Sequence, residues 1–148
     1  MAHEHGNLER LTERIIGCAI EVHRTLGPGL LESLYQECLV IELAEQQLSF
    51  EADRCVNLEY KGRRIRHTLK LDLLVAGLVV VELKSVERLH PVHSAQVITY
   101  LKLTGCPAGL LMNFNETSLR AGLKRLDHPD RYTRRAQEIK RSKDQKDF

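Results

Sequence analysis

Apolar residues along the chain fall first at helical spacing and then at strand spacing. Leu8, Leu11, Ile15, Ala19, Val22 and Leu26 recur every three or four positions, the pattern of an amphipathic helix. Asn7 is its candidate N-cap. Gly27-Pro28-Gly29 should end it, because proline and flanking glycines do not readily continue a helix. A second helix is predicted from about Leu30 to Glu45, with Leu31, Leu34, Tyr35, Cys38 and Leu39 inward. The two would pack as a helical hairpin. Phe50 to Tyr60 turns towards strand, and Lys61-Gly62 is a turn signal. Arg63 to Lys70 mixes polar and apolar residues as an outer strand would.

Next comes Lys70 to Lys84, almost wholly apolar apart from four charges. It reads as two short buried strands around a break at Ala76-Gly77. A loop with Pro91 precedes a helix from about Val92 to Thr104, which Gly105-Cys106-Pro107 breaks. Ala108 to Asn113 is a further strand, and Ser118 to Leu126 fits helix or strand. The charged residues beyond lack apolar periodicity and predict a frayed helix or disordered tail. The order helix, helix, three strands, helix, strand predicts an α/β domain with a central mixed β-sheet flanked by helices. Its expected span is residues 1–126, with 127–148 a charged tail.

Length and composition narrow the classes. At 148 residues, 43% hydrophobic and 28% charged, the chain is one ordinary globular domain. The apolar run from Leu73 to Val81 is far too short to span a bilayer, so no membrane role is expected. The first residues lack a basic start followed by an apolar core, so no signal peptide is expected either. Cys18, Cys38, Cys55 and Cys106 form no Cys-x-x-Cys pair; they read as small buried hydrophobes in a reduced, cytoplasmic protein. The net charge is +2, and the segment from Asp127 onward holds seven basic and five acidic residues. The body is therefore neutral, and a nucleic acid would have to meet a local patch or the tail.

The chemistry is concentrated in the apolar hairpin, which carries Asp72, Glu82 and Lys84. Charges are rarely buried unless paired, bound to metal or put to chemical use. Glu82 and Lys84 are two apart on a strand and share a face. Strand parity sets a condition on Asp72. A two-residue turn at Ala76-Gly77 would put Asp72 opposite Val81 and Glu82 on the other face. A shared site needs an odd loop, such as Ala76-Gly77-Leu78, or a β-bulge.

Asp72, followed ten positions on by Glu82-Leu83-Lys84, resembles the D…(D/E)xK signature of the PD-(D/E)XK nuclease-like superfamily. Gln96 and Tyr100 resemble the QxxxY signature of its RecB-like members. Gly29-Leu-Leu-Glu32-Ser-Leu-Tyr35 resembles the namesake motif of the GxxExxY family, a branch of that superfamily. The resemblance runs from about Leu8 to Leu126 and fades between Arg63 and Leu71. It implies a PD-(D/E)XK-like core and fixes no biological task. It also implies a metal site of Asp72, Glu82 and the Leu83 carbonyl, with Glu32 a further ligand, direct or through water. Mg²⁺, with Mn²⁺ as substitute, suits such hard oxygen donors. Lys84 would hold the attacking water, and Gln96 and Tyr100 would orient the site or touch a phosphate.

The expected function is Mg²⁺-dependent phosphodiester hydrolysis of nucleic acid, DNA foremost. The rival is a catalytically silent nuclease-fold module within a DNA-processing complex. A single-strand binding platform is disfavoured, with no Trp, three Phe and four Tyr for stacking. Each residue also has a plainer reading. Glu82 and Lys84 would be a structural ion pair, Glu32 a favourable charge at a helix start, and Tyr35 a core residue. His93 reads as a helix-start residue or a metal ligand, and His3 and His5 as a mobile terminus. Arg63, Arg64, Arg66 and Lys70 read as a solvated face or a phosphate-contacting rim. Oligomeric state is not readable.

Overall fold

The computed structural model describes residues 2–130. Helices α1 (Ala2–Leu26) and α2 (Glu32–Glu45) precede strands β1 (Phe50–Tyr60), β2 (Arg63–Val75) and β3 (Val79–Lys84). Helix α3 (Pro91–Thr104), strand β4 (Ala108–Asn113), a 3-10 helix (Leu119–Gly122) and strand β5 (Leu123–Asp127) complete the order. The five strands form one sheet in sequence order, with β3 and β4 parallel and every other neighbour antiparallel. This is the expected α/β architecture with one strand added. The ambiguous 118–126 segment contains both the 3-10 turn and β5. The expected tail meets the structure only at its start: Asp127 pairs with Ala108 in β5, and the His128 N–H donates to the Pro107 carbonyl. Everything past Asp130 lies outside the described residues.

Two apolar layers cover the sheet. On one face, Leu11, Ile15, Ala19 and Val22 of α1 and Tyr35, Leu39 and Leu43 of α2 pack on Leu73, Val75, Val79, Val81, Leu110 and Met112. On the other, Val97, Tyr100 and Leu101 of α3 pack on Leu71, Leu74, Val80 and Leu111. Strands β3 and β4 are therefore covered on both faces, which is why they read as continuous apolar runs. Gly109 of β4 lets α3 come close, since an added Cβ would lie 2.6 Å from a Val97 methyl.

Three local expectations are corrected. Asn7 does not cap α1, which already begins at Ala2 and takes in residues 3 and 5; capping is a preference of Asn, and mid-helix Asn costs only a few tenths of a kcal/mol. Leu31 and Leu34 are exposed, at 73% and 44%. Leu31 precedes the first turn of α2, and Leu34 lies one step round from the buried Tyr35, Leu39, Leu43 stripe. Cys55 is exposed on β1, while Cys18 and Cys106 are buried.

The α1–α2 turn is held from inside. Gly27 and Gly29 have φ of 72° and 94°, conformations that glycine adopts without steric cost. The Tyr35 hydroxyl donates to the Gly27 carbonyl at 2.5 Å and accepts from the Leu30 N–H at 3.1 Å. Its ring stacks on Phe114, with centroids 4.5 Å apart. Tyr35→Phe keeps the stacking and strands both backbone groups, so it should destabilise the fold by about 1–2 kcal/mol. Urea unfolding measures this; a change below about 0.5 kcal/mol would mean that solvent replaces the clasp.

Candidate active site

The β2–β3 hairpin meets the parity condition. Its loop is the three residues Ala76-Gly77-Leu78, with Val75 opposite Val79, Leu74 opposite Val80 and Leu73 opposite Val81. Ala76 and Gly77 both take left-handed φ, 53° and 65°, and the Leu78 N–H returns to the Val75 carbonyl at 3.0 Å. The next position along puts Asp72 beside Glu82, and there the backbone ladder stops.

Side chains take over from the backbone at that point. The Asp72 N–H donates to Glu82 Oε1 at 3.0 Å, and the Leu83 N–H donates to Asp72 Oδ2 at 2.8 Å. The strands are splayed by two carboxylates that bridge the gap. Strand β2 is kinked at the same point: Leu71 packs in the α3-side layer and Leu73 in the opposite layer, although residues two apart on a regular strand share a face. Asp53 of β1, flanked by the pairs Ala52–Leu73 and Arg54–Leu71, takes a φ of 53° beside Asp72. Gln36 of α2 fastens this corner, its Nε2 donating to Asp53 Oδ1 at 3.2 Å and to the Asp72 carbonyl at 3.0 Å.

Glu82 is 3% exposed. Burial and the adjacent Asp72 charge push its carboxyl from an ordinary 4.5 up to about 8, with Lys84 opposing weakly. Lys84 shares the Glu82 face of β3 and is half-buried. Among the described residues the two form no ion pair within 4 Å, so the plain ion-pair reading does not describe this site.

The remaining candidates surround the carboxylates at different distances. Glu32, at the start of α2, lines an open cleft of about 620 Å³ with Gln36, Asp53, Lys70, Asp72, Leu83 and Ser85. Its Oε1 accepts from the Ser85 N–H at 3.3 Å, while the Ser85 hydroxyl donates to the Leu30 carbonyl at 2.6 Å. Glu32 therefore joins the cleft without joining the pair, and no group of three or more His, Cys, Asp or Glu gathers at metal-binding distance among the described residues. Gln96 donates to the Tyr100 hydroxyl at 3.0 Å, and that hydroxyl donates to the Lys70 carbonyl at 3.4 Å. The Tyr100 hydroxyl is raised in pKa by burial and by the Glu82 charge. This pair thus ties α3 to β2 two residues before Asp72. His93 accepts the His90 N–H at 3.0 Å and opens α3; burial, Lys84 and His90 lower its pKa.

Sequence reasoning missed Gln36, Asp53 and Ser85. Gln36 lies four residues after Glu32, on the same helical face, and that spacing was the available signal. Asp53 carried none, because its role depends on which residue of β2 it faces.

The donor set suits a divalent cation. The two carboxylates are hard oxygen donors of the kind divalent cations take, and a cation would relieve the repulsion that, after burial, raises Glu82. A family model of the PD-(D/E)XK nuclease superfamily matches residues 9–126, and nucleases of that superfamily generally use divalent metal ions. No curated protein and no solved structure matches the chain. No helix among the described residues is long and apolar enough to cross a membrane.

The raised Glu82 pKa has a signed consequence. Between pH 4.5 and 8 the folded protein holds a proton on Glu82 that the unfolded chain has released. Stability without metal therefore falls as pH rises through that window. Glu82→Gln removes the titration and should gain on wild type by on the order of 3 kcal/mol between pH 5 and pH 8. Urea midpoints in EDTA at both pH values measure it; parallel pH slopes for the two proteins would refute the shift.

Proposed function

The chain belongs to the PD-(D/E)XK nuclease superfamily, and on that premise we propose that it is a Mg²⁺-dependent phosphodiesterase acting on DNA. The observation that carries the reading is the Asp72–Glu82 pair. Two carboxylates replace backbone in the middle of a sheet, one of them nearly inaccessible and strongly raised in pKa. A structural pair of acids would cost folding free energy for no return, whereas a strongly perturbed carboxyl bonded to a neighbour that lines a cleft is characteristic of sites that do chemistry.

Asp72, Glu82 and the Leu83 carbonyl would hold the cation, and Glu32 would reach it through water, given its bond to Ser85. When bound, a divalent cation supplies Lewis-acid chemistry, polarising a phosphoryl oxygen and lowering the pKa of a water. Lys84 holds the attacking water and stabilises negative charge developing on the phosphoryl oxygens. Gln96 and Tyr100 keep β2 at a fixed distance from α3, so that Asp72 is positioned before substrate arrives.

We further assign the chain to the GxxExxY branch. Gly29, Glu32 and Tyr35 perform three jobs around one turn: a left-handed bend, a carboxylate facing the cleft, and an internal clasp. A cytoplasmic location suits four free thiols. The catalytically silent alternative has one observation in its favour, the absence of a third metal-ligating side chain beside the pair among the described residues.

Cleavage of DNA and RNA substrates by purified protein with Mg²⁺ or Mn²⁺ tests the proposal. Asp72→Asn, Glu82→Gln and Lys84→Ala should each lower the rate by about 100-fold or more. Thermal melts should show wild type stabilised by Mg²⁺, by about 2.7 kcal/mol at a hundred times Kd, and Asp72→Asn indifferent to it. Cleavage surviving all three substitutions would place the activity elsewhere. Metal-indifferent melts with no cleavage would favour the silent module.

A further inference from the structure

The outer half of the β1–β2 hairpin has no place in the core. No residue of β1 is buried, and none of Arg63 to Lys70 is. Val56 and Leu69 graze the α3-side layer; from Asn57 to Thr68 neither strand contributes to an apolar layer. The hairpin closes in a two-residue turn, Lys61 and Gly62, both left-handed at φ 51° and 75°. Such turns match strand twist and give a narrow ribbon. A register shift between Asn57 and Glu59 adds local twist.

The charge of this ribbon differs from that of the whole chain. Between Arg54 and Lys70 stand six basic residues and one acidic one, in a protein of net charge +2. Arg54 is engaged by Glu51 at 2.8 Å. Lys61, Arg63, Arg64, Arg66 and Lys70 take part in no ion pair among the described residues. Arg64 reaches across to Asn57 Oδ1 at 2.9 Å. Asn57 pairs with Thr68 and Cys55 with Lys70, so Arg64, Thr68 and Lys70 share one face. Lys70 lies at the wall of the cleft that contains Asp72. The basic face thus runs from the hairpin tip into the candidate active site. At the tip, Tyr60 is 63% exposed, with the Lys61 ammonium 5.5 Å from its ring centre.

We infer that this ribbon is a DNA-binding arm that enters the major groove of a duplex and guides one strand to the cleft that Lys70 and Asp72 line. The inference rests on the nuclease reading for the direction of that guidance, and not for binding itself. The B-form major groove, about 12 Å wide, admits a two-stranded ribbon. The A-form major groove is too deep and narrow for side chains to read, which disfavours duplex RNA. A single strand would need stacking surfaces, and the ribbon offers only the rings of Tyr60 and His67. Strands of this length outside the core reach roughly 20 Å, enough to cross a groove and touch phosphates on both sides. Arg64 and Arg66 would contact phosphates, while Lys70 meets the strand at the cleft.

Fluorescence anisotropy with a labelled DNA duplex longer than two helical turns tests it, in EDTA so that nothing is cleaved. The same sequence as single-stranded DNA and as duplex RNA provides the comparison. Arg64→Ala/Arg66→Ala should weaken duplex DNA binding several-fold and lower the slope of log Kd against log salt by about 2. Lys102→Ala, an exposed charge on α3, should change neither. Methylating guanine N7, which lies in the major groove, should interfere with wild-type binding. Unchanged affinity and salt slope in the double variant, equal preference for the single strand or duplex RNA, or no duplex binding by wild type would each overturn the inference. The outcome separates from that of the nuclease reading. Arm-dependent binding without cleavage on adding Mg²⁺ would keep the arm and remove hydrolysis; cleavage with binding indifferent to Arg64 and Arg66 would do the opposite.

Discussion

The structure turns on two hydrogen bonds that cross between β2 and β3, from the Asp72 N–H to Glu82 and from the Leu83 N–H to Asp72. A buried sheet must satisfy every backbone donor, so strands in its middle can separate only if something else accepts. Two carboxylates do so here. Strand β3 cannot move away to relieve the repulsion, because it is paired along its whole length with β4 and covered on both faces. The cost of holding two acids together is therefore met by the apolar layers, and the cleft exists because the ladder is interrupted there.

Three tyrosine and glutamine side chains near the site each hold a backbone carbonyl. Tyr35 holds the α1–α2 turn through the Gly27 carbonyl, Gln36 holds the Asp72 carbonyl, and Tyr100, itself held by Gln96, holds the Lys70 carbonyl. Backbone contacts set where a strand kinks, and a kink fixes side-chain direction more firmly than a side-chain contact could. Glu32, which lines the cleft, and Tyr35, which anchors the turn, stand about one helical turn apart, as do Gln96 and the Tyr100 hydroxyl it holds.

How much of this was legible follows from which forces are local. Strands β1 and β4 could be bounded from the sequence because a short apolar or mixed run and the turn residues that flank it act over a few positions. The pairing of Asp72 with Glu82 was legible as a condition, since parity is arithmetic, and the three-residue loop fulfils it. The start of α1 was misjudged, because a favourable cap at Asn7 does not prevent a helix from beginning earlier. Asp53 and the bulge at Asn57 were not legible at all. Both depend on which residues meet across strands, and no local pattern encodes a meeting. That Lys70, legible as part of a solvated face or a phosphate-contacting rim, stands at the cleft wall lay hidden for the same reason.

The sign of charge changes within two residues on β2, from Lys70 to Asp72, although the chain as a whole is close to neutral. Under the two proposals this segregation couples cation and DNA. The arm attracts phosphate, while an unneutralised Asp72–Glu82 pair repels it at the point where it must arrive. A cation at the pair removes that repulsion, and a phosphate beside the pair in turn favours the cation. Each ligand then raises the affinity of the other by the same factor, as linkage requires. A protein with both signs mixed evenly over its surface would have no such coupling. Below about pH 8 Glu82 keeps its proton, so the repulsion that the cation must offset comes mainly from Asp72, and it grows as Glu82 gives up that proton to bind metal.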